Sequence, residues 1–419
     1  MTESPQPERD VRMRGFARRT TVADALKWLD ENVARLPEEA LPLAEAAGRV
    51  LAREMTSTVD VPGFDRSMMD GFALRAADSQ GASAYNPLTL EVIGHSLPGQ
   101  PFEETVGPGR AVRIMTGAPM PQGADAVLPV ELVEIEADRI VAQGEVSPGK
   151  HVGPVGEDVA AGSVVLPAGR RLRPQDVGVL SSIGVAEVPV VRRPRVRVVV
   201  TGNELLPAGS MPQPPRIADS NGPMLAALVA RDGGLAITKE IVPDEPDAIL
   251  RAMRDEADRE GADLVLVSGG SSVGQEDHAA ALLAEHGRLP IHGIAMRPSS
   301  PMGMGLLDDR PVFLLPGNPV SCLCGYDFFA GRAIRLCGGR PADWPYRRAR
   351  ATLRRKIVST VGRLDYMRVK LVEGRVEPLA IGGASVLSST TRADGFVLVP
   401  PDSEGYPPGT EVEVYLYEG

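Results

Sequence analysis

The stretch RVRVVVTGNE, residues 195–204, decides the fold: a short β-branched run ends on a loop that carries Thr201, Gly202, Asn203 and Glu204. The same arrangement occurs twice more. Asp263 to Val267 runs into Ser268-Gly269-Gly270-Ser271-Ser272-Val273-Gly274, and Pro311 to Leu315 runs into Pro316-Gly317-Asn318-Pro319. In an open parallel sheet, ligands lie in the crevice at the carboxyl ends of the strands. Three such loops are therefore expected to converge on one site for a phosphate-bearing small molecule.

Working outward, strands alternate with helical stretches. Asp219-Ser220-Asn221 offers N-cap chemistry ahead of an apolar helix from Met224 to Val229. A strand from Ala236 to Val242 precedes a helix from Glu245 to about Arg259, and Gln275 to Glu285 reads as the next helix. Ile291 to Met296 supplies another strand. Asn318 is placed to cap a helix that accepts Pro319 in its first turn. This alternation predicts a doubly wound, mostly parallel α/β domain.

N-terminal to this block, Thr21 to Arg35 reads as an amphipathic helix opened by Thr21 and Asp24, and Leu43 to Glu54 as a second helix. From Pro62 to about Val190 the periodicity becomes that of short strands divided by Gly and Pro, such as Ala111 to Met115, Ala126 to Val130 and Ser163 to Leu166. The tail from Ala351 to Tyr417 alternates again, which predicts a small β-barrel or sandwich.

Bulk properties narrow the function. A chain of 419 residues exceeds one ordinary core, so two to four domains are expected. A formal net charge of -10 gives no footprint for a nucleic-acid backbone. No apolar run is long enough to span a bilayer, and Met1 to Arg19 is polar where a signal peptide would be apolar, so a cytoplasmic location is expected. Cys322, Cys324 and Cys337 lack the spacing of a zinc site or redox pair and read as buried free thiols. Aromatic content of only 4%, with Gly 45 and Pro 38, favours many turns and strands outside the α/β block.

Several groups can carry chemistry. Gly269, Gly270 and Gly274 let main-chain N–H groups approach an oxyanion, with Ser268, Ser271 and Ser272 as hydroxyl donors. Asp277 follows this loop, where a carboxylate either complements a helix dipole or holds a hard cation such as magnesium. Glu204 and Asp244 come from other strand ends. Upstream, PGFDRSMMDGFALR (residues 62–75) sets Asp65 and Asp70 around Met68 and Met69, and Thr116 stands beside Gly117 in RIMTGAPMP. Taken singly, each is an ordinary cap or turn, and Phe64, Met69 and Phe72 would fill a local core. The five histidines show no ligand spacing, and no Ser-His-Asp arrangement follows from spacing.

Together, PGFDRSMMDGFALR, RIMTGAPMPQGADAV, GEDVAAGSVVLPAG, VVVTGNEL, SGGSSVGQEDH, LLPGNPVSC and GRLDYMR resemble the molybdopterin molybdenumtransferases, the MoeA and gephyrin E-domain family. The matches run in order from about Thr21 to the C-terminus. The resemblance implies an elongated four-domain chain: a linking domain of residues 21–61 plus 153–190, a β-rich inserted domain of residues 62–152, a molybdopterin-binding, MogA/MoaB-like α/β domain of residues 191–340, and a C-terminal β-barrel of residues 341–419. It implies a homodimer with a composite active site, adenylylated molybdopterin and molybdate as substrates, magnesium as cofactor, and release of AMP. A molybdopterin adenylyltransferase and apo-molybdoenzymes are the implied partners, with neither nucleic acid nor membrane. A non-catalytic carrier or scaffold paralogue and a tungstate-using variant are the alternatives.

By the same resemblance, Asp70, Thr116, Glu204, Asp244 and Asp277 work at the active site, with Asp244 and Asp277 on magnesium and Glu204 on a water or metal. Thr201, Gly202, Ser268, the Gly269 to Gly274 loop, and Pro316, Gly317, Asn318 and Pro319 hold phosphate. Arg368 and the serines from Ser385 to Ser389 are implied for molybdate, arginine's planar fork suiting a tetrahedral oxyanion. One segment departs from the family. Where members carry lysines in a K-P-G-K-P-like pattern, this chain reads Met296-Arg297-Pro298-Ser299-Ser300-Pro301, and Gly293 lies where another lysine is often found. Arg297 keeps one positive charge, while Ser299 and Ser300 keep hydroxyl donors.

Overall fold

Three parallel strands set up the site. Arg195–Val200, Leu264–Ser268 and Arg310–Leu315 lie side by side, with Val200 paired to Ser268 and Ser268 to Leu315. Leu235–Thr238 pairs in parallel on the outer side of Arg195–Val200. These strands read as nearly continuous apolar runs because both faces are covered. Val196, Val198, Leu264, Leu266 and Phe313 enter one core, while Val199, Val265, Val267, Val312 and Leu314 enter another. That period-two division places the sheet between two helical layers. The computed structural model describes residues 19–238, 241–254, 261–269, 278–379 and 383–417.

The far side of this sheet differs from expectation. The strand is Arg288–His292, not Ile291 to Met296, and it runs antiparallel to Gly303–Leu307. Gly303–Leu307 in turn forms a hairpin with Arg310–Leu315. The two connecting residues, Asp308 and Asp309, both have positive φ (48° and 60°), the geometry that matches the twist of a two-residue hairpin. Met296–Arg297 leaves this sheet altogether and pairs with Leu364 and Asp365.

Leu364 and Asp365 begin one strand of the C-terminal barrel. There Leu364–Val372, Arg375–Pro378, Arg347–Leu353, Glu411–Leu416 and Gly395–Val399 pair in that order, and the last pairs back to the first. The tail is a closed five-stranded barrel rather than a sandwich, and closure removes the exposed edges. Val369, Val376, Val397, Val412 and Val414 fill it.

Helices among the described residues are Val22–Asn32, Pro174–Ser182, Asn221–Arg231, Pro246–Arg254, His278–His286, a run from Pro319 to Cys337 and the short Ser388–Thr391. Thr21 opens the first, accepting the Asp24 N–H at 3.1 Å and donating its hydroxyl to the Asp24 carboxylate at 2.7 Å. Of two further expected caps, the first forms and the second does not. Asp219, not Ser220, accepts the N–H groups of Asn221 and Gly222. Asn318 occupies the cap position with Pro319 following, but its side chain makes no capping bond.

Residues 40–190 form a separate compact unit. Its main sheet has six strands, with Gly71–Leu74 between Ala126–Pro129 and Arg110–Ile114. The helix expected from Leu43 to Glu54 is only one turn, Leu43–Glu45. Gly48 has φ 77° and donates its N–H to the Leu172 carbonyl, which draws the chain into strand-like pairing. Among the described residues no helix is long and apolar enough to cross a membrane.

Candidate active site

Because Val200, Ser268 and Leu315 are register partners, the loops that begin at Thr201, Gly269 and Pro316 leave one edge of the sheet together. They meet around a cleft of about 760 Å³. Thr201, Gly202, Glu204, Asp244, Ser268 and Gly269 line one part of it, and Pro316, Gly317, Asn318, Pro319 and Ser385 another. Among the described residues no cationic side chain lines this arm, whereas Glu204, Asp219 and Asp244 all do.

Close packing fixes the glycine at the edge. Gly269 has φ 103°, and a Cβ there would stand 2.4 Å from the Thr201 carbonyl oxygen. The Gly269 N–H does not face the cleft as a donor, since the Leu315 carbonyl accepts it at 3.2 Å. Thr201 N–H is likewise committed to the Ser268 carbonyl. The Gly202 N–H faces the Val242 carbonyl across the parallel bridge between Thr201 and Val242, while among the described residues no acceptor meets the N–H groups of Gly317 or Asn318. The open main-chain donors of the cleft are therefore those of Gly317 and Asn318 rather than Gly269. Gly270, Ser271, Ser272, Gly274 and Asp277 lie outside the described residues.

Asp244 clasps the first loop. One carboxylate oxygen accepts the Thr201 hydroxyl and the other accepts the Asn203 N–H at 3.0 Å. Each oxygen retains a second lone pair. Among the described residues no three His, Cys, Asp or Glu side chains gather closely enough to hold a metal by themselves. Magnesium needs only one or two carboxylates, with waters and substrate phosphates completing its shell. A cleft that has Glu204 and Asp244 on its wall and, among the described residues, no cation of its own fits that ion.

Asn221 is a site residue that sequence reading treated only as capping chemistry. It is 7% exposed, and its Nδ2 donates to Ser268 Oγ at 2.9 Å and to the Gly317 carbonyl at 2.8 Å. It thereby ties the second loop to the third. Cys322 packs behind Ser268 with a thiol pushed up to about 12 by burial, so it is neutral and inert. All three cysteines are buried and free.

A second arm of about 540 Å³ continues from the first, and Pro301, Pro316 and Asn318 line both. Met296 to Pro301 forms one wall, and Tyr366 and Arg368 of the barrel form the other. Arg368 has no carboxylate partner among the described residues, and its Nε and Nη1 are buried without an acceptor. The hydroxyls of Ser299 and Ser300 are also buried and unpartnered. Ser299 takes φ 79°, unusual for a residue with a Cβ, and its N–H donates to Ser321. Arg297 differs: its Nη2 donates to Asp365 at 2.7 Å, so its charge is already matched. Ser385 lines the first arm, and Ser389 is buried with its hydroxyl on the Val386 carbonyl. His278 opens a helix and His292 ends a strand, and neither lines an arm.

Asp70 and Thr116 belong to the unit of residues 40–190. There Asp70 Oδ1 accepts the Thr116 N–H at 2.7 Å and its hydroxyl at 2.8 Å. The Thr116 N–H, then its hydroxyl, hold the Asp70 carboxyl below its ordinary value. Gly71 follows because a Cβ there would stand 2.1 Å from the Leu128 carbonyl oxygen. Asp65 instead anchors the Val155 N–H. Phe72 is buried, but Phe64 and Met68 are about half exposed, so the expected local core around Phe64 does not form.

Comparison with known proteins meets this geometry. Residues 20–184 match the MoeA N-terminal region (domain I and II), 197–335 a probable molybdopterin binding domain, and 350–417 the MoeA C-terminal region (domain IV). Molybdopterin molybdenumtransferase 2 of Mycobacterium tuberculosis is 36% identical over 384 residues, covering 90% of this chain and 94% of that one. The chain belongs to the molybdopterin molybdenumtransferase family. Another family member, from Staphylococcus aureus, is 31% identical over 403 residues, covering 95% of each chain. The crystal structure of the molybdopterin biosynthesis MoeA protein from Pyrococcus horikoshii superposes with a TM-score of 0.84 at 33% identity, covering 96% of this chain and 100% of that one. The family is one of transferases in molybdenum cofactor biosynthesis, and its architecture is the α/β domain, β-rich domains and closed barrel described above.

Proposed function

We propose that this protein inserts molybdate into adenylylated molybdopterin, releasing AMP with magnesium and yielding the molybdenum-loaded pterin. One observation carries the reading. An arm that among the described residues has carboxylates and open N–H groups but no cation runs into an arm where Arg368, Ser299 and Ser300 carry buried polar atoms without partners. A pyrophosphate suits the first arm and a tetrahedral dianion suits the second.

Bringing two anions together is the difficulty of this reaction, so catalysis rests on charge compensation and placement. Glu204 and Asp244 would hold magnesium, which would supply the positive charge the first arm lacks. The N–H groups of Gly317 and Asn318 would receive phosphate oxygens, with the loop held in place by Asn221. Arg368, Ser299 and Ser300 would receive molybdate, exchanging buried unmet donors for bonds to the oxyanion. Asp70 and Thr116 complete the site as part of a homodimer, and the Asp70 carboxylate, held ionised by Thr116, is suited to orienting a donor or metal-bound water.

The test is AMP release from adenylylated molybdopterin by purified protein, with molybdate and magnesium present. Release that depends on molybdate concentration supports the proposal. AMP no higher than in a protein-free control overturns it.

A further inference from the structure

The second arm is shared between two folded pieces: Pro316, Asn318 and Ser321 come from the α/β domain, Tyr366 and Arg368 from the barrel. Its width depends on how those pieces are joined. We propose that Trp344 is a positioning residue for oxyanion binding, holding the barrel wall that carries Arg368 at a fixed distance from the Pro316 to Ser321 wall. The inference rests on the molybdate reading given above.

The joint begins in the helix that follows Pro319. After Pro319–Gly325 it widens into a π turn, Tyr326–Ala330, before resuming as Gly331–Cys337. Such widened turns disturb the usual main-chain pairing and recur at functional positions. Here the Asp327 carbonyl, within the widened turn, accepts Trp344 Nε1–H at 2.7 Å. The Asp327 side chain is fully buried and accepts Arg231 Nη2 at 2.9 Å and the Tyr346 hydroxyl at 2.9 Å. One end of the joint is thus fixed by a charged, hydrogen-bonded network.

The other end is aromatic. The Trp344 ring meets Phe328 of the π turn edge-on at 4.8 Å, and meets Phe396 and Tyr415 of the barrel edge-on at 5.4 and 5.0 Å. Phe396 stacks on Tyr366 at 4.1 Å with an interplanar angle of 19°. Tyr366 lies two residues before Arg368 on the same strand, so both side chains project from one face. A line of direct contacts therefore runs from the Asp327 carbonyl through Trp344, Phe396 and Tyr366 to the strand position of Arg368. Of the chain's two tryptophans, this one touches the supports of both walls, beside the direct Phe328–Tyr366 ring contact at 6.4 Å.

Trp344 packs against the edge of the α/β core and takes no part in the barrel's own core. The barrel has its own core of Val369, Val376, Val397, Val412 and Val414, while Tyr366 and Phe396 belong to the α/β core instead. Removing the indole therefore loosens the alignment of two intact walls.

The experiment compares the full chain with Trp344→Ala and Trp344→Phe, measuring the KM for molybdate and for adenylylated molybdopterin in AMP release, and molybdate binding directly by equilibrium dialysis. Trp344→Ala is expected to raise the molybdate KM about tenfold or more, in line with the effect of an ångström-scale misplacement, with the adenylylated substrate's KM changed less than about twofold. Trp344→Phe, which keeps a ring but loses the N–H, should fall between. Unchanged molybdate KM in a folded Trp344→Ala, or equal rises in both KM values, overturns the proposal. If Trp344→Ala does not fold, the same split in Trp344→Phe decides. Should wild type release no AMP yet bind molybdate, the functional reading fails while weaker dialysis binding by the variants still supports the joint. No molybdate binding by wild type sinks both.

Discussion

The two arms of the cleft solve the problem of holding an anion in opposite ways. The arm at the strand ends has, among the described residues, main-chain N–H groups, hydroxyls and three carboxylates but no cationic side chain, so it borrows positive charge. The arm against the barrel has an arginine with buried unmatched donors and two unpartnered serines, so it carries its own. Backbone from a regular sheet edge suits a phosphate chain that arrives with a metal ion. Side chains from two domains suit a compact oxyanion that arrives alone. The difference teaches that charge balance, more than shape, divides the labour between them.

Removing divalent metal is the strongest way to break that comparison. Chelation is expected to lower AMP release by about a thousandfold, the scale of several kcal/mol of lost charge stabilisation, while molybdate binding stays within about twofold. Equal loss of both in a dialysis experiment run with and without chelator would show that the arms are not independent. Next in size is Arg368→Ala. Its charge-assisted bonds are worth about 1.5–3 kcal/mol, so the molybdate KM should rise about tenfold to a hundredfold with the adenylylated substrate's KM little altered. Steady-state kinetics with each substrate varied in turn separates the two.

What could be read in the chain beforehand follows the same division. The strand-end arm was legible because Arg195–Val200 and Leu264–Ser268 are buried on both faces and end on glycine-bearing loops. The antiparallel edge was not, since glycines in Gly303–Leu307 look like punctuation. Within the strand they permit close approach instead: a Cβ on Gly305 would stand 2.0 Å from the Arg288 carbonyl oxygen. Arg368 was visible only through family resemblance, since its isolation depends on which residues fail to reach it. The roles of Asn221, which needs three segments to meet, and of Asp365, which pairs across 68 positions, have no local pattern to betray them.

The Asp70 and Thr116 pair gives a pH test of the charge balance outside the cleft. Two donors from Thr116 lower the Asp70 carboxyl from 3.8 in the folded protein, so its stabilising contribution is present above that value and is lost only as pH falls through the lower folded one. The pH profile of AMP release between about pH 5 and about pH 8 should accordingly show no inflection from Asp70. Asp70→Asn should reduce turnover at every pH in that window, by about tenfold to a hundredfold if the charge orients a reacting group. An inflection in wild type that disappears in Asp70→Asn would mean the carboxyl titrates in use, contrary to its bonding.

The smallest effect is expected at Arg297, and it sharpens the comparison most. Arg297 lines the oxyanion arm, so a charge count alone would rank it with Arg368. Its Nη2 is held by Asp365, however, and that fully buried carboxylate also accepts Arg363 Nε at 3.1 Å and the Ser359 hydroxyl at 2.9 Å. In Arg297→Ala the carboxylate keeps two donors, so the change avoids the larger penalty of a buried unpaired charge and should destabilise by about 1 kcal/mol, as for a half-exposed pair. The molybdate KM should rise less than about threefold, because a guanidinium matched by a carboxylate adds little to binding a further anion. A rise matching that of Arg368→Ala would place Arg297 on the oxyanion itself, and the arm would then hold two working cations instead of one.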